Sequence, residues 1–252
     1  MSEANIYVAI PVHNRLRIAE KCVPTVANGT SLHNDVVAVF DDGCTEPLPE
    51  SVIAGYVAVN RCSHIGIERQ RRMHFTVFDG LPDFTHLYLT DSDALHDPNW
   101  RDALLSIQSK YGGAPVCGYN TEAHARLQGS TISETEDVIW RRTAPGISFL
   151  LTRGHVEKVV AWLRANPKVD HWNWDWTVPH ILDDRFATTK TSYVDHIGFG
   201  GYHHPKGEGY DGGDRATSPT EWLKKKRAEI VSQLQHEDAE NSRSSLNRPV
   251  AT

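Results

Sequence analysis

The stretch Thr85-His86-Leu87-Tyr88-Leu89-Thr90-Asp91-Ser92-Asp93 decides how the chain folds. Leu87 to Thr90 has the apolar, β-rich content of a buried strand, and the run stops at two carboxylates one residue apart. Open α/β sheets bind ligands just outside the carboxyl ends of their strands, which is where Asp91 and Asp93 would sit. Two hard oxygen ligands without an adjacent Lys or Arg suit magnesium or manganese shared with a substrate's phosphates. The plainer alternative makes Asp93 a cap on the next element and Asp91 a solvated turn residue.

Upstream the same pattern recurs. Ile6 to Ile10 reads as a first buried strand ended by Pro11, which cannot donate to a ladder. The loop Pro11 to Arg15 leads to a helix from Leu16 to Ala27, with Ile18, Cys22 and Val26 at spacing four and Asn28-Gly29 as the stop. Val36 to Phe40 is a second strand ending at carboxylates, Asp41-Asp42-Gly43. A Pro-rich link leads to a third strand, Tyr56 to Val59, then a loop and a helix from Ile65 to Asp79. The middle of that helix, Glu68-Arg69-Gln70-Arg71-Arg72, reads as a solvated face.

Downstream, Asp97 and Pro98 open a helix as cap and first residue, with Trp100, Leu104 and Ile107 as its inner stripe. Val116 to Tyr119 and Ile147 to Thr152 read as strands, and His155 to Leu163 as a helix. Between them, Asn120 to Arg142 has the weak periodicity of a mobile loop or hairpin over a site. Ser192 to Ile197 reads as a last strand, followed by a Gly- and Asp-rich loop to Asp214. Ser218-Pro219-Thr220-Glu221 is a capping box for a helix expected to fade after Asp238, with 241–252 disordered. Strands alternating with helices argue for a mostly parallel sheet covered on both faces. Neither a Gly-x-Gly-x-x-Gly after the first strand nor a Walker-type loop is present, so carboxylates and a metal would have to hold any nucleotide's phosphates.

A chain of 252 residues allows one large α/β domain or two small ones. No apolar run reaches the length of a membrane span, and the start Met1-Ser2-Glu3-Ala4-Asn5 lacks the regions of a signal peptide. Four cysteines without a Cys-x-x-Cys pair argue against a zinc or disulfide framework and fit a reducing cytoplasm. A net charge of −6 gives no general pull toward nucleic acid or membrane.

Together these landmarks resemble a glycosyltransferase of the GT-A fold, in the family 2-like group of nucleotide-sugar transferases. The residues that carry the resemblance are Ile10-Pro11-Val12-His13-Asn14-Arg15, Phe40-Asp41-Asp42-Gly43-Cys44-Thr45, the Asn60 to Arg72 stretch with Gly66, and Asp91-Ser92-Asp93. The implied fold is α/β, GT-A (Rossmann-like), with a mostly parallel mixed sheet flanked by helices in a single domain. Residues 1–214 would be the transferase domain, with a donor half at 1–93 and an acceptor half at 94–214, and 215–240 a C-terminal helix.

The implied activity moves a sugar from a nucleoside-diphosphate donor, UDP-sugar first, to an acceptor hydroxyl. The resemblance places Pro11, Val12, Asn14, Arg15, Asp41, Asp42, Asn60, Gly66, Asp91 and Ser92 against the donor. One of Arg69, Arg71 or Arg72 would reach it as well. Asp93 would ligate manganese or magnesium, with Asp91 on the ribose, the metal or a metal-bound water. His196 would close the metal site, against His203, His204 or no histidine. Asp175 falls where inverting members carry the catalytic base, but the usual preceding Glu is Trp174, which leaves the base and the stereochemistry open. Flanking indoles would desolvate Asp175 and raise its pKa toward useful base strength. Trp174 and Trp176 would stack on the acceptor sugar or else form one face of a buried strand or hairpin.

Two other readings remain. A sugar-nucleotide-forming nucleotidyltransferase shares the layout but would want a Gly-rich loop after the first strand. A non-catalytic nucleotide- or sugar-binding module could keep the fold. The acceptor is open between a saccharide, a protein and a modified nucleic acid. The basic run Lys224-Lys225-Lys226-Arg227 could touch a membrane surface or nucleic acid, or be a solvated helix face.

Overall fold

The computed structural model describes residues 4–30, 34–54, 56, 58–61, 63–127, 129–169, 171–198 and 215–246. The expected loop to Asp214, with His203 and His204, and the tail 247–252 lie outside the described residues. The chain order is β1 (Ile6–Val12), α1 (Leu16–Thr30), β2 (Val36–Asp41), α2 (Glu50–Ile53), β3 (Ala58–Arg61), α3 (Ile67–Asp79), β4 (His86–Thr90) and β5 (Ala94–His96). It continues with α4 (Trp100–Lys110), β6 (Val116–Cys117), α5 (Glu122–Arg126), β7 (Thr131–Glu134), β8 (Val138–Arg141) and β9 (Ser148–Thr152). The last elements are α6 (Arg153–Ala165), α7 (Trp174–Ile181), β10 (Phe186–Thr189), β11 (Val194–His196) and α8 (Glu221–Leu246).

Among the described residues, nine strands form one sheet in the order β3-β2-β1-β4-β9-β6-β10-β8-β7. Only β9 and β8 run against the other seven, so the sheet is mixed and mostly parallel. Every residue of β1 is buried, because helices cover both faces. Alternation sends Ile6, Val8, Ile10 and Val12 toward α1 and α4, where they meet Val23, Val26, Trp100 and Leu104. Tyr7 and Ala9 face the opposite layer with Phe75, Phe78, Val156 and Val160. From β1 the chain steps through β2 to β3 on one side, then returns to place β4 on the other side. The strand order therefore reverses between β1 and β4, and a crevice opens at their carboxyl ends.

Several boundaries differ from the sequence reading, each for a physical reason. Gly29 does not stop α1: a Cβ there would lie 2.5 Å from Nε1 of Trp100, so the glycine admits the indole that donates to the Val26 carbonyl at 3.1 Å. The fourth helix begins at Trp100, not Pro98, because Asp97 is drawn into a turn. Its Oδ1 accepts from the Asn99 amide at 2.8 Å and its Oδ2 from the Thr220 hydroxyl at 2.6 Å. Residues 120–142 are α5 and an antiparallel β7–β8 hairpin, the hairpin alternative of the sequence reading.

The aromatic stretch is not a strand. Asn173 takes a left-handed conformation (φ 43°) and α7 begins at Trp174. The final helix runs past Asp238 to Leu246, so residues 241–246 are helical where disorder was expected. Glu237 and Asp238 are pinned to α1 by Arg17 at 2.8 and 2.6 Å, and Lys21 adds a second contact to Glu237 at 2.8 Å. Leu223, Ile230, Val231 and Leu234 pack with Ile18 and Cys22 of α1. Among the described residues, no helix is long and apolar enough to cross a membrane.

Candidate functional site

Asp91 and Asp93 leave β4 at the crevice, directly after the buried run Leu87 to Thr90. Opposite stands the loop after β1, where Asn14 and Arg15 are consecutive non-glycine residues in the left-handed region, at φ 53° and 51°. Such strain persists only where neighbours over-determine it. Here the Asn14 amide donates to Cys44 Sγ at 3.2 Å, and Asn14 Oδ1 accepts from the Thr45 amide at 3.0 Å. The turn carries Arg15 Nη1 to within 2.7 Å of Asp93 Oδ2.

His196, at the end of β11, contacts the same oxygen through Nε2 at 3.1 Å. Its ring is clamped from behind, since a Cβ at Gly198 would lie 2.1 Å from His196 Cε1. Arg227 of α8 holds the His196 carbonyl and reaches Asp195 Oδ2 at 3.3 Å. Burial alone would raise Asp93, but the charges of His196 and Arg15 outweigh it and hold the carboxyl below its usual range. Burial likewise disfavours the charged imidazole of His196, yet the carboxylates of Asp93 and Asp91 raise its pKa above the ordinary value.

Asp91 pairs with Arg71, and this overturns the solvated reading of the α3 run. Arg71 and Gln70 have no exposed surface. The Arg71 guanidinium donates to the Thr90 carbonyl at 2.9 Å and to Asp91 Oδ1, and it lies 4.6 Å from the ring centroid of Trp174. Burial lowers the pKa of Arg71 and raises that of Asp91, with each charge partly offsetting the effect on the other. Arg72 turns the other way and donates to the carbonyls of Leu163 (2.8 Å), Asn166 (3.2 Å) and Val169 (3.2 Å), tying down the end of α6. Arg69 is exposed, and Ser92 is buried between the two carboxylates of the stop.

Asp41 and Asp42 act on the loops beside the crevice. Asp41 Oδ1 accepts from the Cys44 amide at 2.8 Å. Asp42 Oδ1 accepts from the Ile65 amide (2.7 Å) and Gln70 Nε2 (3.0 Å), while Oδ2 accepts from the Gly66 amide (3.1 Å) and faces His64 Nδ1 (3.0 Å). The carboxylate thus fixes the entry to α3, and Gly66 supplies the positive φ of 81° that this turn needs. Pro11 and Val12 close β1, the Val12 carbonyl accepting from the Asp42 amide at 2.8 Å, and Asn60 pairs with Phe40 in the β2–β3 ladder.

Asp175 lies in the first turn of α7, half-buried. Trp174 is buried against Phe149 and over Gly146, where a Cβ would come within 2.2 Å of the indole. Trp176 is 48% exposed. The two indoles therefore diverge and do not close over Asp175 together. The link from α7 to the crevice is Trp174, through Arg71, to Asp91.

Two carboxylates and an imidazole meet here, with Oδ2 of Asp91 and Oδ1 of Asp93 free of side-chain partners among the described residues, although the group of three whose ligand atoms all lie within 4.8 Å is His13, Asp42 and His64. Sequence reasoning missed the burial of Gln70 and Arg71, because each depends on a neighbour far along the chain, and the contact of Gly198 with His196, because the local turn that makes it leaves no residue pattern. For Arg71 a partial signal existed: the Asp91 carboxylate needed a cation, and none lay beside it in sequence.

No family model matches the chain, and no curated protein matches it. Among solved structures it is similar to one described as the crystal structure of A197 from STIV, at 13% identity, a TM-score of 0.43, and coverage of 77% of this chain and 86% of that one. At that distance the likeness carries no argument about activity. The protein is a single mixed α/β domain whose carboxylates, arginines and histidine gather where the order of its strands reverses.

Proposed function

We propose that the chain is a glycosyltransferase that moves a sugar from a nucleoside-diphosphate donor, UDP-sugar first, to an acceptor hydroxyl. One observation supports this above the rest. Arg15 from the end of β1 meets Asp93 and His196 across the strand-order reversal, with Asp91 anchored beside them by Arg71. Asp93, Asp91 and His196 would hold manganese or magnesium, which supplies neutralising charge for a leaving diphosphate. Arg15 adds a guanidinium for the diphosphate oxygens. Arg71 keeps Asp91 aimed into the crevice and couples it to α7.

Asp175 takes the proton of the acceptor hydroxyl as that oxygen attacks the anomeric carbon on the face opposite the diphosphate. The exposed face of Trp176 offers a platform for the acceptor ring. Both site carboxylates already have cationic partners, and this favours one second reading, a nucleotide-sugar-binding module without turnover.

Release of UDP from UDP-sugars with manganese tests the proposal, with wild type measured against Asp175→Asn. Turnover that falls at least about a hundredfold in the variant, with UDP binding kept, supports the transferase. Binding without turnover in wild type supports the module. Turnover indifferent to Asp175 removes it as the base.

A further inference from the structure

Beside the crevice a second cluster forms over Asp42. His13, from the loop after β1, and His64, just before α3, stack with ring centroids 3.9 Å apart and planes 28° apart. His13 Nδ1 lies 2.8 Å from the Asp42 carbonyl oxygen, and His64 Nδ1 lies 3.0 Å from Asp42 Oδ2. Both partners are acceptors, so Nδ1 is the donor of each ring and Nε2 is the nitrogen left for a ligand. Asn14 Nδ2 lies 3.2 Å from His13 Nε2 and donates to it, so an ion at that nitrogen displaces the Asn14 amide.

The pair is thus two exposed imidazoles with both Nδ1 atoms engaged, held from beneath by one buried aspartate. Asp42's other donors, the Ile65 and Gly66 amides and Gln70 Nε2, are neutral, so they leave its negative charge uncancelled. Among the described residues, the ligand atoms of His13, Asp42 and His64 lie within 4.8 Å of one another.

A histidine that ligates a metal characteristically donates its other ring N–H to a carboxylate or a backbone carbonyl, which fixes the tautomer and aims the lone pair. Asp42 offers one of each, to two rings at once. Two zinc–nitrogen bonds of about 2.0–2.1 Å at a tetrahedral angle need nitrogens roughly 3.3 Å apart, so the exposed rings turn out of their stack to meet one ion. Imidazole nitrogen suits zinc, copper and nickel better than magnesium or calcium.

We propose that His13 and His64, oriented by Asp42, form a binding site for a borderline divalent transition-metal ion of the zinc or copper(II) type. Water or an oxygen of a bound ligand completes the coordination. The site is built from different side chains than the Asp91/Asp93 crevice and stands whether or not the chain transfers sugars.

Zinc titration of the EDTA-stripped full chain against a chromophoric chelator tests it, with His13→Ala, His64→Ala, the double variant and His196→Ala in parallel. Both histidines are exposed, so the variants should keep the wild-type urea midpoint, which is measured alongside. The expected result is a zinc-binding step weakened at least about tenfold by either single change, lost in the double variant and kept in His196→Ala, whatever zinc the Asp91/Asp93 crevice also takes. Copper(II) added at one equivalent should show two-nitrogen hyperfine structure in wild type and His196→Ala and not in the double variant. A wild type that binds no zinc overturns the proposal. So does a double variant that binds as wild type does, or a loss that follows His196→Ala alone.

Discussion

Arg15 Nη1 stands 2.7 Å from Asp93 Oδ2 across the gap between the ends of β1 and β4. The two residues belong to different βα units, and only the reversal of strand order brings them together. The arginine is about one-third exposed while the carboxylate is buried, so this ion pair faces outward at the mouth of the crevice. Its cationic side is where a nucleotide's phosphates would arrive.

Replacing Arg15 tests that geometry. Arg15→Asn keeps a residue that tolerates φ near 51° while removing the guanidinium. Charged hydrogen bonds of this kind contribute about 1.5–3 kcal/mol, so UDP affinity should fall roughly ten- to a hundredfold. The urea midpoint should barely move, given the exposure of the side chain. Unchanged affinity by calorimetry would remove Arg15 from the donor site.

Arg71 should behave in the opposite way. It is fully buried against Asp91 and Trp174, and Arg71→Ala takes the cation from an Asp91 carboxylate that is 27% exposed. Breaking a fully buried pair costs about 3–5 kcal/mol; the partly exposed carboxylate puts this one at or below the lower end, readable in urea denaturation. A variant as stable as wild type would mean that the Arg71–Asp91 contact is dispensable.

Gly198→Ala should act on His196 without touching Asp93. The added Cβ would lie 2.1 Å from Cε1, so the ring must swing off the carboxylate. Burial then dominates unopposed, and His196 should titrate lower than in wild type when followed by histidine-ring NMR. An unchanged titration would show that the clamp does not hold the ring.

Acid should destabilise the fold through its buried histidines. Burial pushes His96 down to about 3, whereas the unfolded residue titrates near 6.5. Between those values the unfolded chain binds the extra proton, so stability falls as pH falls through the window. From pH 7 to pH 5 His96 alone should cost about 2 kcal/mol. His74 adds to it, driven down by burial and by the neighbouring Arg71 charge. Urea midpoints at the two pH values should diverge less in His96→Gln, and an identical divergence would exclude His96 as a source.

The sequence made some of this legible and hid the rest. Runs such as Ile6–Val12 and His86–Thr90 announce doubly covered strands because nearly all their side chains are apolar and buried. Their carboxylate stops follow from the same pattern. The Glu68–Arg72 run misled because polarity alone does not separate a solvated arginine from one paired with a carboxylate twenty positions away. Trp172, Trp174 and Trp176 mimic a strand by their spacing of two. A left-handed Asn173 starts a helix there and sends Trp174 inward and Trp176 outward. Nothing in the chain pairs His13 with His64 until β1 and the start of α3 are brought together over Asp42.

The proposed transferase needs Asp93 to anchor a metal-dependent nucleoside-diphosphate site. Calorimetric titration of UDP, with manganese and then with EDTA, on wild type and Asp93→Ala measures that directly. The expected result is binding that requires both the ion and Asp93. UDP binding that persists in EDTA or in Asp93→Ala, or no binding of UDP or GDP under any condition, would contradict it.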